Sequence, residues 1–187
     1  YDAAGGLRDL RHTDLGRGQP DVLVGKAGVL FVSTHYWGPY FGIDVARRDS
    51  ATIRRLSRVE LADAGFTTGG AKPANFPIES ALLDSATLLV AHRRGVAVID
   101  VSVPNNARLV QVVDVGGPAV NLDVRDRTAA VAVGGASPAI ALLERSPGLR
   151  VVRPVTLPRG TKPVAVALSM RSVLVAARGQ GILAVKR

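Results

Sequence analysis

The fold class this sequence predicts is all-β: a β-propeller of four repeat units of ~40–45 residues each. Three observations carry the prediction. A short apolar phrase recurs four times, as Val29-Leu30-Phe31-Val32, Leu88-Leu89-Val90-Ala91, Ala130-Val131-Ala132-Val133 and Val173-Leu174-Val175-Ala176. Each phrase is followed by a polar or Gly-rich turn and a second apolar run, at 41–45, 96–101, 140–143 and 182–185. Aligned on those second runs, Asp44, Asp100, Glu144 and Lys186 fall at equivalent places, with gaps of 56, 44 and 42 residues. Several short strands per unit, repeated at this period, bury their apolar faces by stacking unit on unit.

Composition is consistent with such stacking. A chain of 187 residues holds one domain or one compact repeat array. Its apolar content is mostly Val, Ala and Leu, with 4% aromatics. β-branched Val favours strands, and Ala alternating with bulkier residues suits closely stacked sheets. There is no cysteine, which removes disulfides and Cys-ligated zinc. No apolar run reaches the ~18 residues of a membrane-spanning helix. Net charge is +9 and arginine supplies 20 of the 24 basic residues. Such a surface attracts anions, but the charge is dispersed through turns and outer strands, the pattern of a solvated exterior.

The units read as follows. Unit one covers 21–61, with strands at 21–25, 29–33, 41–45 and 52–61, and is followed by a surface loop at 63–73 containing Gly65, Gly69, Gly70 and Pro73. Unit two covers 76–115, with strands at 76–83, 86–91, 96–101 and 108–115. Its turns are His92-Arg93-Arg94-Gly95 and Val103-Pro104-Asn105-Asn106, where Pro cannot donate to a ladder and Asn tolerates turn geometry. Unit three covers 119–157, with breaks at Gly134-Gly135, Ser146-Pro147-Gly148 and Pro158-Arg159-Gly160. Unit four, 163–187, has only three strands. The opening segment 7–15 has the strand–glycine–proline shape of 108–118 and is expected to supply the missing outer strand, removing an open edge. The chain then closes alone as a four-bladed ring, forms half of an eight-bladed ring with a second copy, or is one arc of a larger propeller.

The run Gly95-Val96-Ala97-Val98-Ile99-Asp100-Val101-Ser102-Val103-Pro104-Asn105 resembles the core phrase of LVIVD-repeat β-propellers. A partial form stands at Gly42-Ile43-Asp44-Val45-Ala46, while units three and four keep the apolarity and lose the Asp. The resemblance implies the propeller fold and an exported setting: periplasmic, extracellular or cell-surface. It implies no catalytic residue.

Chemical motifs are sparse. There is no Gly-x-Ser-x-Gly elbow, no phosphate loop, no dinucleotide fingerprint and no His-Glu-x-x-His. His12, His35 and His92 are the three histidines, and none sits among carboxylates at ligand spacing, so neither a metal nor a cofactor is expected. His35 and His92 both leave a second strand, as exposed turn residues on one rim. Asp44, Asp100 and Glu144 read as caps of their own turns rather than as a catalytic ring. The polar residues expected on inner strands are Asp21, Glu79, Asn121 and Asp123.

Two clusters remain as candidate sites. The turn Tyr36-Trp37-Gly38-Pro39-Tyr40-Phe41 holds four of the chain's eight aromatics, and Tyr36, Trp37, Tyr40 and Phe41 are candidate partner contacts. His92, Arg93 and Arg94 occupy the equivalent turn of the next unit. The densest basic segment contains Arg54, Arg55 and Arg58 as candidate anion contacts. A period of two on that strand puts Arg54 and Arg58 on one face and Arg55 on the other. The sequence therefore favours a non-enzymatic interaction or scaffold module with a protein partner in a larger assembly or a homodimer, and an acidic glycan as a further partner. Nucleic acid is disfavoured. The rival readings are a hydrolase or lactonase built on a propeller, and a basic module holding an anionic polymer.

Overall fold

The computed structural model describes residues 19–35, 41–49, 52–61, 79–145 and 148–186. The expected strand at 7–15, the loop at 63–73 and the turn residues Tyr36, Trp37 and Tyr40 lie outside the described residues; Phe41 is described in its backbone alone.

Among the described residues, fifteen strands form four antiparallel sheets. The first holds β1 (Gln19–Lys26), β2 (Val29–His35), β3 (Phe41–Asp49) and β4 (Thr52–Glu60). The second holds β5 (Ser80–Leu82), β6 (Thr87–His92), β7 (Gly95–Asp100) and β8 (Arg108–Val113). The third holds β9 (Ala119–Arg125), β10 (Thr128–Val133), β11 (Ala139–Arg145) and β12 (Leu149–Thr156). The fourth holds β13 (Pro163–Leu168), β14 (Ser172–Ala177) and β15 (Gly181–Lys186). Every sheet is a meander, with sequence neighbours paired. The first strands lie against one another, β1 with β5, β5 with β9 and β9 with β13, so the sheets are arrayed as blades around them.

Alternation along each strand fills three separate cores, one at each blade junction. Phe31, Ile43 and Val45 of blade 1 meet Leu88, Val90 and Ile99 of blade 2. The opposite face of blade 2, with Leu89, Ala91 and Val96, meets Ala129, Val131 and Leu143 of blade 3. Ala130, Ala132 and Ile140 of blade 3 then meet Val166, Val173 and Val175 of blade 4. The small Ala130 and Ala132 face larger Val side chains, which is how sheets approach closely without voids.

The blades are twisted by recurrent bulges. In blades 1, 2 and 3 the pairing of third and fourth strands slips at one point, leaving Leu56, Val110 and Val152 as the extra residues. Between first and second strands of blades 1, 3 and 4 the extra residues are Asp21, Val120 and Val164. Such bulges increase right-handed twist and re-aim the side chains beyond them. Two first hairpins turn through paired left-handed residues, Ala27-Gly28 and Asp126-Arg127, the geometry that matches strand twist.

Candidate interaction surfaces

Each junction is stitched by polar bonds as well as packed. At blades 1 and 2 the Ser57 hydroxyl donates to the Pro104 carbonyl at 2.6 Å, on the short 3₁₀ turn Pro104–Asn106. At blades 2 and 3 Gln111 Nε2 donates to the Leu149 carbonyl at 2.8 Å, and Arg145 bonds both Asp84 and the Thr87 hydroxyl. At blades 3 and 4 the amide of Val166 donates to Asn121 Oδ1 at 2.8 Å, and that of Leu168 to Asp123 Oδ2 at 2.7 Å. Two of the four inner-strand polar residues singled out in the sequence are thus bound to the backbone of the next blade. Glu79 lies just before β5, where its carbonyl accepts the Ala91 amide. Asp21 is a bulge residue of β1.

The charged residues at the repeat positions divide into two kinds. Asp100, Glu144 and Lys186 pair with Thr87, Thr128 and Ser172, each the first residue of a second strand. Asp44 pairs with Val32 instead, and Arg47 holds the place opposite Val29. The sequence alignment of Asp44 with the others is therefore corrected. Asp100 caps its own turn, accepting from the Ser102 amide at 3.0 Å and the Ser102 hydroxyl at 2.6 Å. These bonds, Ser102 foremost, hold its carboxyl below the usual carboxylate range.

Asp44 is 0% exposed and makes an ion pair with Arg58 at 2.8 Å, with Arg55 at 3.8 Å. The bulge at Leu56 puts Arg55 and Arg58 on the same face, towards Asp44. That overturns the strict period of two, which paired Arg54 with Arg58. Arg58 also bonds Glu60, and its guanidinium lies over Gly42, where a Cβ would come within 3.0 Å of it. Burial opposes the charge on Arg58, but the bonds to Glu60 and Asp44 outweigh it and raise its pKa. Arg58 is thus engaged by two carboxylates of its own blade, and Arg54 is exposed.

In the second candidate turn, Arg93 and Arg94 are exposed, but His92 is buried as the last residue of β6 rather than an exposed turn histidine. Burial first, then the charges of Arg93 and Arg94, lower its pKa to about 4, so it is neutral at physiological pH. Among the described residues no group of three His, Cys, Asp or Glu is placed to hold a metal ion.

The phrase behind the family resemblance has a local physical basis. Gly95 takes φ +119° and a Cβ there would stand 2.2 Å from the Val113 carbonyl oxygen, so only glycine fits. Asp100 caps the turn that Pro104 completes, and that turn receives Ser57 from blade 1.

Sequence reasoning missed the outward face of blade 4. In blades 2 and 3 both faces of the second strand are buried. In β14, Val173 and Val175 are buried against blade 3, while Leu174 on the other face is 39% exposed. Its neighbours across the sheet are Ala167 and Ala184, both exposed, and Ile182 beside them is 74% exposed. Alternation in 172–177 was the available signal, but it could not show that one of the two apolar sets is left open. Large exposed apolar patches mark contact surfaces.

No family model matches the sequence, and no curated protein matches it. Among solved structures the chain is similar to the N-terminal domain of Nup159, a β-propeller, with a TM-score of 0.52 and 11% identity. The match covers 84% of this chain and 39% of that one, so the chain spans well under half the length of its structural neighbour. Four antiparallel meanders arrayed around their first strands, together with this likeness, make the fold a β-propeller.

Proposed function

We propose that this chain is a non-enzymatic β-propeller interaction module that contacts protein partners through the outward face of blade 4. One observation carries the reading: Leu174, Ile182, Ala167 and Ala184 continue the apolar alternation of the three buried junctions on a face that is exposed. Its occupant is another β-sheet, packed face to face at the ~10 Å spacing of stacked sheets. The polar inner-strand residues Asn121 and Asp123 are committed to backbone bonds, which favours this reading over a propeller-based hydrolase. The exported or cell-surface setting and an acidic glycan partner belong to the same proposal, and fractionation of cells making the protein tests the setting.

With no other partner present, the open face should associate with a second copy. Light scattering should then show concentration-dependent growth in mass, abolished by Leu174→Asp with Ile182→Lys. Both are surface substitutions, so the melting temperature should stay within about 2 °C. A wild-type chain that remains monomeric at about 100 μM, a concentration at which even weak specific contacts register, would count against the proposal.

A further inference from the structure

The outer strands of blades 1, 2 and 3 share a signature that only their pairing exposes. Arg54, Arg108 and Arg150 each sit opposite a residue near the end of the third strand: Arg47, Asp100 and Glu144. Two residues on, Leu56, Val110 and Val152 are the bulge residues. Seven residues after each arginine, Leu61, Val115 and Leu157 are buried in the core between that blade and the next. The signature is thus an arginine, an apolar bulge at the third position and an apolar exit at the eighth. The run Arg8-Asp9-Leu10-Arg11-His12-Thr13-Asp14-Leu15 carries it in full, through Arg8, Leu10 and Leu15. That run lies outside the described residues. Among the described residues no strand pairs with the outer edge of β15. The strand is regular: its pairing with β14 has no slip, and it contains no proline. A flat, mostly apolar edge of this kind is a template for an added strand.

We infer that residues 8–15 of a second copy add to β15 as the fourth strand of blade 4. The inference rests on the contact proposed above for the outward face of blade 4, and it names the partner. Topology decides which copy donates. β8 leads into β9 through residues 114–118, and β12 into β13 through 157–162, so each outer strand belongs to the blade beside the next first strand. Residues 16–18 join Leu15 to β1 at Gln19, a span of at most about 14 Å. The blade that receives 8–15 therefore lies beside blade 1, with Leu15 placed between them as Leu157 is between blades 3 and 4. Blade 4 of the same chain does not lie there, because Leu174 and Ile182 are exposed on the face that blade 1 would cover. Blade 4 of a second copy can, and two chains then exchange the same element reciprocally. The register follows from blade 2, where Arg108 opposes Asp100 and Val113 opposes Val96. By the same spacing Arg8 opposes Lys186 and Thr13 opposes Ile182. Arg8 on Lys186 repeats the Arg54 and Arg47 pair of blade 1.

The chain has no cysteine, so cross-linking reads the register directly. Whole chains carrying Thr13→Cys and Ile182→Cys singly, refolded together and mildly oxidised, should give a disulfide-linked pair on a non-reducing gel. Thr13→Cys with Lys186→Cys, four residues or about 13 Å out of register, should not. A chain carrying both Thr13→Cys and Ile182→Cys should run as a linked dimer. A monomer with an internal disulfide would place 8–15 in its own chain and overturn the inference, as would equal linkage in the out-of-register pair. In light scattering, Leu15→Asp should weaken self-association at least about tenfold. Lys186→Glu gives Arg8 an acidic partner, as Arg108 has in Asp100, and should strengthen association about two- to fivefold; weakening there would also overturn the inference. Association that persists at full strength in Leu15→Asp overturns the strand exchange and leaves the contact on the blade 4 face standing, whereas a wild-type chain that does not associate removes both.

Discussion

Removing the two inner-strand acceptors, Asn121→Ala with Asp123→Ala, separates a structural latch from a catalytic pair. Asn121 Oδ1 accepts the Val166 amide at 2.8 Å and Asp123 Oδ2 accepts the Leu168 amide at 2.7 Å, both on the inner strand of blade 4. Asp123 also accepts its neighbour's amide, from Val124, through Oδ1 at 2.9 Å. A neutral acceptor of this kind is worth about 1 kcal/mol and a charged one about 1.5–3 kcal/mol, and each deletion leaves a backbone N–H without its acceptor. The pair should therefore cost about 2.5–4 kcal/mol. For a chain of this size that lowers the melting temperature by about 5–16 °C. Asp123→Asn, which keeps an acceptor but not the charge, should cost about half as much as Asp123→Ala. Urea unfolding followed by circular dichroism gives the free energies, and amide exchange at Val166 and Leu168 should rise in the double variant before global unfolding does. Catalytic groups held in strained or unpaired positions give the opposite result, since replacing them leaves stability unchanged or raises it. A double variant within about 0.5 kcal/mol of wild type would refute the latch.

The other expectations concern single residues. Because His92 has a folded-state pKa of about 4, below its ordinary 6.5, the unfolded chain takes up the proton first. Stability should be full above that ordinary value and fall by about 2–3 kcal/mol as pH drops towards 4, a slope that His92→Gln removes; a wild-type chain without the slope contradicts the burial. Gly95→Ala drives a Cβ to 2.2 Å from the Val113 oxygen, while Gly181→Ala, at the same place in the blade 4 hairpin, meets open space at φ +77°. The first should cost about 3 kcal/mol or more and the second about 1–2 kcal/mol, and equal thermal shifts would show that backbone conformation alone sets the requirement. Arg58→Met leaves buried Asp44 without its nearest cation and should cost about 3 kcal/mol, whereas Arg55→Met, at an exposed and longer pair, should cost under about 0.5 kcal/mol; similar losses in a denaturation series would place both arginines alike around Asp44.

How much of this was legible depended on the range of the interaction. The apolar phrases at Leu88–Ala91 and Ala130–Val133 announce strands because alternation is local, and the Gly95 and Pro104 turns announce themselves by residue type. The bulges do not. Leu56, Val110 and Val152 are ordinary strand residues, and only the paired strand reveals that one of them is extra. The insertion at Leu56 is why Arg55 joins Arg58 beside Asp44 against the expected alternation. Asp44 is displaced from the repeat register for a similar reason: its partner is fixed by β2, not by its distance from Asp100. Asn121 and Asp123 were visible as polar residues on an inner strand, but their acceptor role depends on amides 45 residues away. Burial of His92 likewise belongs to the packed end of β6, where sequence suggested only a turn.

The absence of cysteine makes the central claim directly measurable. Single Ile182→Cys and Val175→Cys variants place one thiol on each face of blade 4, one exposed and one buried against blade 3. The measurement is the rate of maleimide labelling as protein concentration rises. Ile182→Cys should label rapidly when dilute and slow as the open face becomes occupied, while Val175→Cys should stay unreactive throughout. An Ile182→Cys rate that does not change with concentration, or equal rates at the two positions, would contradict it.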